Sequence, residues 1–173
     1  AKADILAAIA KAQVRAGDIK GALSSSALIT DDLIDPISKD RVVRDIAVAQ
    51  ARSGDVQEAL RTAKRIRRID SRITALQGIS ESQMKLGEWH AAVETADSIT
   101  LVYRKAPALA KIAVAQTKSG DNAAEATFQR ALHAANSETE RSARFYAFLA
   151  IAKAQAEAGL HSASAQTFRS AVQ

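Results

Sequence analysis

Ile46-Ala47-Val48-Ala49-Gln50-Ala51-Arg52-Ser53-Gly54 is the stretch on which the reading of this chain turns, because it returns four more times with little change. The other copies are Ile9–Gly17, Ile79–Gly87, Ile112–Gly120 and Ile151–Gly159. Successive glycines stand 37, 33, 33 and 39 residues apart. A period in that range belongs to stacked helix-turn-helix units.

Working outward from each glycine gives the repeat its physical content. Eleven residues before it stand Leu6, Val43, Leu76, Leu109 and Phe148, and eight before it stand Ile9, Ile46, Ile79, Ile112 and Ile151. With Ala10, Ala47, Ser80, Ala113 and Ala152 one step later, these columns form the i, i+3, i+4 stripe of an amphipathic helix. We name it helix A. Its smallest residue sits where a neighbour must approach closely. After the glycine, Ala22, Ala59 and Ala92 fall five residues on, and Ile29, Ile66 and Ile99 twelve on, which describes a second helix, B. Gly17, Gly54 and Gly120 are each followed by aspartate. The glycine suits the left-handed residue that ends A, and the aspartate suits the N-cap of B. Glu58, three residues after Asp55, completes a capping-box-like pair.

Composition points the same way. The chain has 173 residues, 47 % of them hydrophobic, with only two prolines and no cysteine. Such alanine-rich, proline-poor content favours close-packed helices, so the expected class is all-α. The lack of cysteine excludes disulfides and thiolate chemistry. No apolar run approaches the roughly 20 residues needed to cross a bilayer, and no basic start leads into an apolar signal segment. The sequence therefore reads as soluble, either cytoplasmic or exported to a periplasm-like space after signal removal. The opening Ala1-Lys2-Ala3 suits a mature product or a trimmed piece.

Taken together, the columns resemble the tetratricopeptide repeat family, and the resemblance covers nearly the whole chain. It extends to the family's small residue early in helix B, at Ala59, Ala92 and Ser164, and to its later packing position at Ala63, Ala96 and Phe168. The chain departs from the family in having glutamine (Gln13, Gln50, Gln83, Gln116, Gln155) where tyrosine is frequent. It also has an aliphatic column in place of tryptophan, and it lacks the proline that ends helix B. Five copies of one polar residue beside the core read as hydrogen bonding between hairpins, with periodic ligand contact as the other possibility. Pro36 and Pro107 are expected to open the second and fourth A helices, where a missing N–H costs little.

The resemblance implies a right-handed α-α superhelix, a solenoid of five hairpins, as a single domain over residues 1–173 with repeats at about 1–35, 36–70, 71–105, 106–136 and 137–173. The A helices are expected over about 3–16, 37–53, 71–86, 106–119 and 138–158, and the B helices over about 18–29, 55–69, 88–99, 121–136 and 160–172. Residues 31–36 form the longest linker.

Ligands of that family usually lie along the inner face of helix A. Carried over by offset from each glycine, the candidate groove residues are Lys11, Arg15, Arg41, Arg44, Arg52, Gln77, Lys85, Lys118, Tyr146 and Lys153. Across all the inner positions, eight basic residues face Asp4, Glu81 and Glu157. An acidic peptide or protein segment is the favoured guest, and the function implied is a non-enzymatic interaction scaffold.

The second repeat carries the charge excess, with ten basic residues against five acidic ones from Lys39 to Arg72. Arg61, Lys64, Arg65 and Arg68 fall at helical spacing on helix B, with Arg67 and Arg72 beside them. This stretch is the basis of an alternative function, electrostatic binding of nucleic acid or anionic membrane. The bland reading is a solvated outer face, since no aromatic is interleaved for base stacking.

Nothing else carries chemistry. His90, His133 and His161 fall in different B helices with no partner at metal-ligand spacing, so no metal and no cofactor is expected. Ser24, Ser25 and Ser26 lack a nucleophile elbow, and no phosphate-binding glycine loop occurs. Trp89 reads as a hairpin packing residue. The chain stops within the last B helix without a polar cap, so an apolar end face near Phe168 is expected, to be covered by a second copy, by more of the parent protein or by a partner.

Overall fold

A computed structural model describes residues 2–29 and 36–172. Among them are ten α-helices and no strand: α1 Lys2–Arg15, α2 Ile19–Ala27, α3 Pro36–Arg52, α4 Val56–Lys64, α5 Ile69–Lys85, α6 Trp89–Asp97, α7 Val102–Ser119, α8 Ala124–Asn136, α9 Arg141–Glu157 and α10 His161–Ala171. The odd-numbered helices are the A helices expected from the repeat, and the even-numbered ones are the B helices. Of the expected linker over 31–36, residues 31–35 lie outside the described residues and Pro36 belongs to α3.

A glycine of positive φ stands at the turn from A to B five times. Gly17, Gly54, Gly87, Gly120 and Gly159 all have φ between 74° and 92°, a region that side-chain-bearing residues enter only with strain. At four of these turns the N–H of the following residue (Asp18, Asp55, Asp121, Leu160) donates back to the carbonyl of the repeat glutamine, at 2.8–2.9 Å. That is the long bond of a Schellman motif. Asp18 then accepts from the Gly21 N–H, and Asp55 from the Glu58 N–H, so both cap helix B as expected. The expected capping-box partner does something else: the Glu58 carboxylate pairs with Arg61 at 2.7 Å. Asp121 closes a tighter turn, accepting from the Ala123 N–H at 2.7 Å, and α8 starts only at Ala124.

The chain divides into two compact units, 1–83 and 84–173. In the first, α1, α2 and the near side of α3 share a cluster made of Ala7, Ala10, Ala22, Ile29, Val42 and Ile46. The other side of α3 joins α4 and α5 through Val43, Ala47, Ala51, Ala59, Ala63, Ile66, Ala75 and Ile79. Neighbouring positions on α3 thus serve opposite partners. Gly78 of α5 lies so close to Val48 of α3 that a Cβ there would come within 2.7 Å of Val48 Cγ2. In the second unit α6 to α10 share one cluster, with Phe128, Leu109, Ile112 and Ile151 at its centre. Trp89 packs against it, as the sequence suggests. Where α10 meets α9, the Ser164 hydroxyl donates to the Ala152 carbonyl at 2.7 Å.

Several expectations are corrected. Pro36 is the first residue of α3, but Pro107 lies inside α7, which begins five residues earlier at Val102. The missing N–H there deprives only the carbonyl of Tyr103, a residue that is exposed. Helix α4 ends at Lys64 and α5 begins at Ile69. The reason is Asp40 of α3, which is buried and accepts the backbone N–H groups of Arg67 and Arg68 at 3.4 and 2.6 Å. From another helix it satisfies two amides of the connection that leads into α5. Ile9, read as core, is 43 % exposed, whereas Ile46, Ile79, Ile112 and Ile151 are fully buried.

Glu140 caps α9 by accepting from the Ser142 hydroxyl and from the N–H groups of Ala143 and Ser142. These bonds hold its carboxyl below the ordinary glutamate value of 4.5. A depressed folded pKa stabilises the fold above the unfolded value, and the contribution fades as pH falls through the folded one. Glu140→Gln should therefore lower the urea midpoint at neutral pH, and the gap from wild type should close as the pH is taken well below 4.5.

Candidate functional site

Helices α1, α3 and α5 run past one another in the first unit, and small residues let them sit close enough to leave a shallow cleft rather than a ridge. The cleft has a volume of about 980 Å³. Its apolar lining is Val14, Ile19, Val48 and Ala49, with Gly78 pressed against Val48. Polar groups surround this: Lys11 and Arg15 from α1, Arg44, Asp45 and Arg52 from α3, and Thr74, Gln77 and Glu81 from α5. Five of the candidate residues read from the sequence, Lys11, Arg15, Arg44, Arg52 and Gln77, thus line one cleft.

Its charges are unequal. Four cationic side chains face Asp45 and Glu81. Arg44 is committed to Asp45, with Nη2 at 2.7 Å and Nε at 2.9 Å from the same carboxylate oxygen. Lys11, Arg15 and Arg52 have no ion pair or hydrogen-bonded side-chain partner among the described residues. Arg15 and Arg52 are the basic residues of the last turns of α1 and α3, where a cation also complements the helix dipole. The cleft therefore offers an apolar strip beside a rim with an excess of positive charge.

The other candidates lie apart from this cleft. Arg41 is exposed one turn before Arg44 on α3 and does not line it. Lys85 is exposed at the end of α5. In the second unit Lys118 is paired with Glu157 of α9 at 2.5 Å, so its charge is spent within the protein. Tyr146 is exposed with its ring edge-on to Phe145, and Lys153 is exposed on the same helix. A second hollow, of about 610 Å³, lies beside the start of α6 and is lined by Trp89, His90, Gln116, Asp121 and Arg130, among others. Arg130 is occupied there by Asp97 at 2.8 Å.

Among the described residues no side-chain bond of the repeat glutamines joins one hairpin to the next. Gln50, Gln83, Gln116 and Gln155 are buried, and their Oε1 atoms have no hydrogen-bond partner among the described residues. Gln13, which is half-buried, accepts the Ser25 hydroxyl at 2.7 Å within its own hairpin. The basic stretch of the second repeat is also rearranged. Arg68 falls in the α4–α5 connection rather than on α4, Arg67 and Arg68 give their N–H groups to Asp40, and Arg61 pairs with Glu58. The three histidines fall on α6, α8 and α10, and no group of three or more His, Asp or Glu among the described residues is placed to hold a metal ion. No helix is long and apolar enough to cross a membrane.

Set against models of protein families, curated proteins and solved structures, the chain matches none.

The cleft depends on the approach of α5 to α3, so its geometry is open to test by stability. Gly78→Ala should destabilise by about 1–2 kcal/mol in urea unfolding, overpacking against Val48 outweighing the gain in helix propensity. Adding Val48→Ala should recover most of that loss, whereas Val48→Ala alone should destabilise.

Proposed function

We propose that this chain is a tetratricopeptide-like, non-enzymatic adaptor that holds an acidic peptide or protein segment along α1, α3 and α5. One observation carries the reading: three cations, Lys11, Arg15 and Arg52, with no partner among the described residues, stand on two helices beside the apolar strip of a cleft of about 980 Å³. A segment laid there gains area against Val14, Val48 and Ala49, and its carboxylates gain charge-assisted bonds with two arginines suited to bidentate contact. Electrostatics of this kind set orientation and encounter rate more than affinity. The five glycine-centred turns and the alternating long and short helices support the family likeness and, with it, a solenoid of five repeats.

The exposed Lys64 and Arg65 at the end of α4 favour a second reading, electrostatic association with nucleic acid or anionic membrane through the second repeat.

Fluorescence polarisation with short labelled acidic, neutral and basic peptides tests both. The adaptor reading expects acidic peptides to bind best, with Arg15→Glu/Arg52→Glu weakening them about tenfold or more, which corresponds to about 1.4 kcal/mol. The doubly reversed protein should keep its helical circular dichroism. Equal binding by both proteins removes the cleft from consideration. Tighter, steeply salt-dependent binding of a labelled oligonucleotide or of anionic vesicles, lost in Lys64→Glu/Arg65→Glu, favours the second reading.

A further inference from the structure

The two free arginines of the cleft occupy equivalent places on neighbouring helices. Arg15 and Arg52 each stand two residues before a turn glycine, Gly17 and Gly54. The C-terminal ends of both helices line the cleft together, Lys11, Arg15 and Gly17 with Arg44, Arg52 and Ser53, so α1 and α3 run the same way. Small side chains bring them close: Ala7 and Ala10 of α1 share a buried cluster with Val42 and Ile46 of α3. Helices in such contact lie about 8–10 Å apart, axis to axis, and equivalent positions repeat at that spacing. Helix α5 brings Thr74, Gln77 and Glu81 to the cleft and no cation, and Arg44 is held by Asp45. The cleft thus has places for two carboxylates. One lies over Lys11 and Arg15, a turn apart on α1, and the other over Arg52.

A guest that crosses these helices must carry its acids at the same spacing. In a polyproline II segment, residues i and i+3 point the same way and stand about 9.3 Å apart. In a β-strand they point to opposite sides, while i and i+2 share a side at only about 6.8 Å. We infer that the segment taken by the cleft is a polyproline II stretch bearing two acidic side chains at i and i+3, one for each helix. This assignment rests on the adaptor reading and adds a register to it. A third acid at the same interval meets α5, which offers it no cation, and adds nothing.

Fluorescence polarisation with short labelled peptides of one composition provides the test. A proline-rich host carries two glutamates at i and i+1, at i and i+2, or at i and i+3, beside an uncharged host. The i, i+3 peptide should bind at least about fivefold tighter than the other two acidic peptides. With Arg52→Glu, the best ligand should become an i, i+3 peptide in which lysine replaces one of the glutamates. Equal binding of the three acidic peptides, all above the host, overturns the register and leaves the adaptor reading standing. So does a preference for i, i+1 or i, i+2, or an Arg52→Glu chain that still prefers two glutamates at i and i+3. If no acidic peptide binds better than the host, the adaptor reading itself falls and the register with it.

Discussion

A left-handed glycine closes every A helix, and the positions of the other groups follow from that backbone requirement. With φ between 74° and 92° at all five glycines, the chain reverses within a few residues and the glutamine carbonyl receives the N–H five residues on in four of the turns. This fixes the register of helix B against helix A, so residues at constant offsets from the glycine meet the same neighbours in each repeat. The 37-residue spacing places eight residues between Ala27 and Pro36, whereas the 39-residue spacing reflects a longer α8 that starts four rather than two residues after its glycine.

The cleft is a by-product of the same economy of side chains. Alanine and glycine at the contacts bring α1, α3 and α5 close, and the longer residues beside them are left standing around a shallow depression. Gly78 against Val48 is its tightest point. Charge then distinguishes one region from another on a common backbone. Arg15 and Arg52 keep their charge available at the ends of α1 and α3, while the corresponding Lys118 at the end of α7 is matched by Glu157 on α9. A single acid in the last A helix is enough to change the character of the column.

What was legible in the sequence is what depends on local period. The glycine turns, the buried isoleucines and the alternation of helices were all readable because their causes lie within a few residues. Ile9 was misread because its environment is set by a neighbour rather than by its own helix. Pro107 suits a helix start by its sequence, yet α7 tolerates it in its second turn. The end of α4 was missed because its cause, Asp40, lies 27 and 28 residues from the N–H groups it accepts. The candidate site divides in the same way. Offsets from the glycine found Lys11, Arg15, Arg44, Arg52 and Gln77 in the cleft, but they could not show that Arg44 turns to Asp45 or Lys118 to Glu157, since a side chain's choice of partner depends on its packing.

The carboxylate of Asp40 also has a bearing on how order spreads through the first unit. Apolar contact between stacked helices is graded and tolerates sliding, whereas a buried acid holding two specific amides is satisfied in only one arrangement. The connection that leads into α5 therefore depends on α3 being in place, and Asp40 is left without its partners if that connection moves away. Two elements distant in sequence are coupled by a directional polar contact as well as by shared area. In a repeat array, such a bond makes neighbouring hairpins melt as one cooperative block rather than peel away singly.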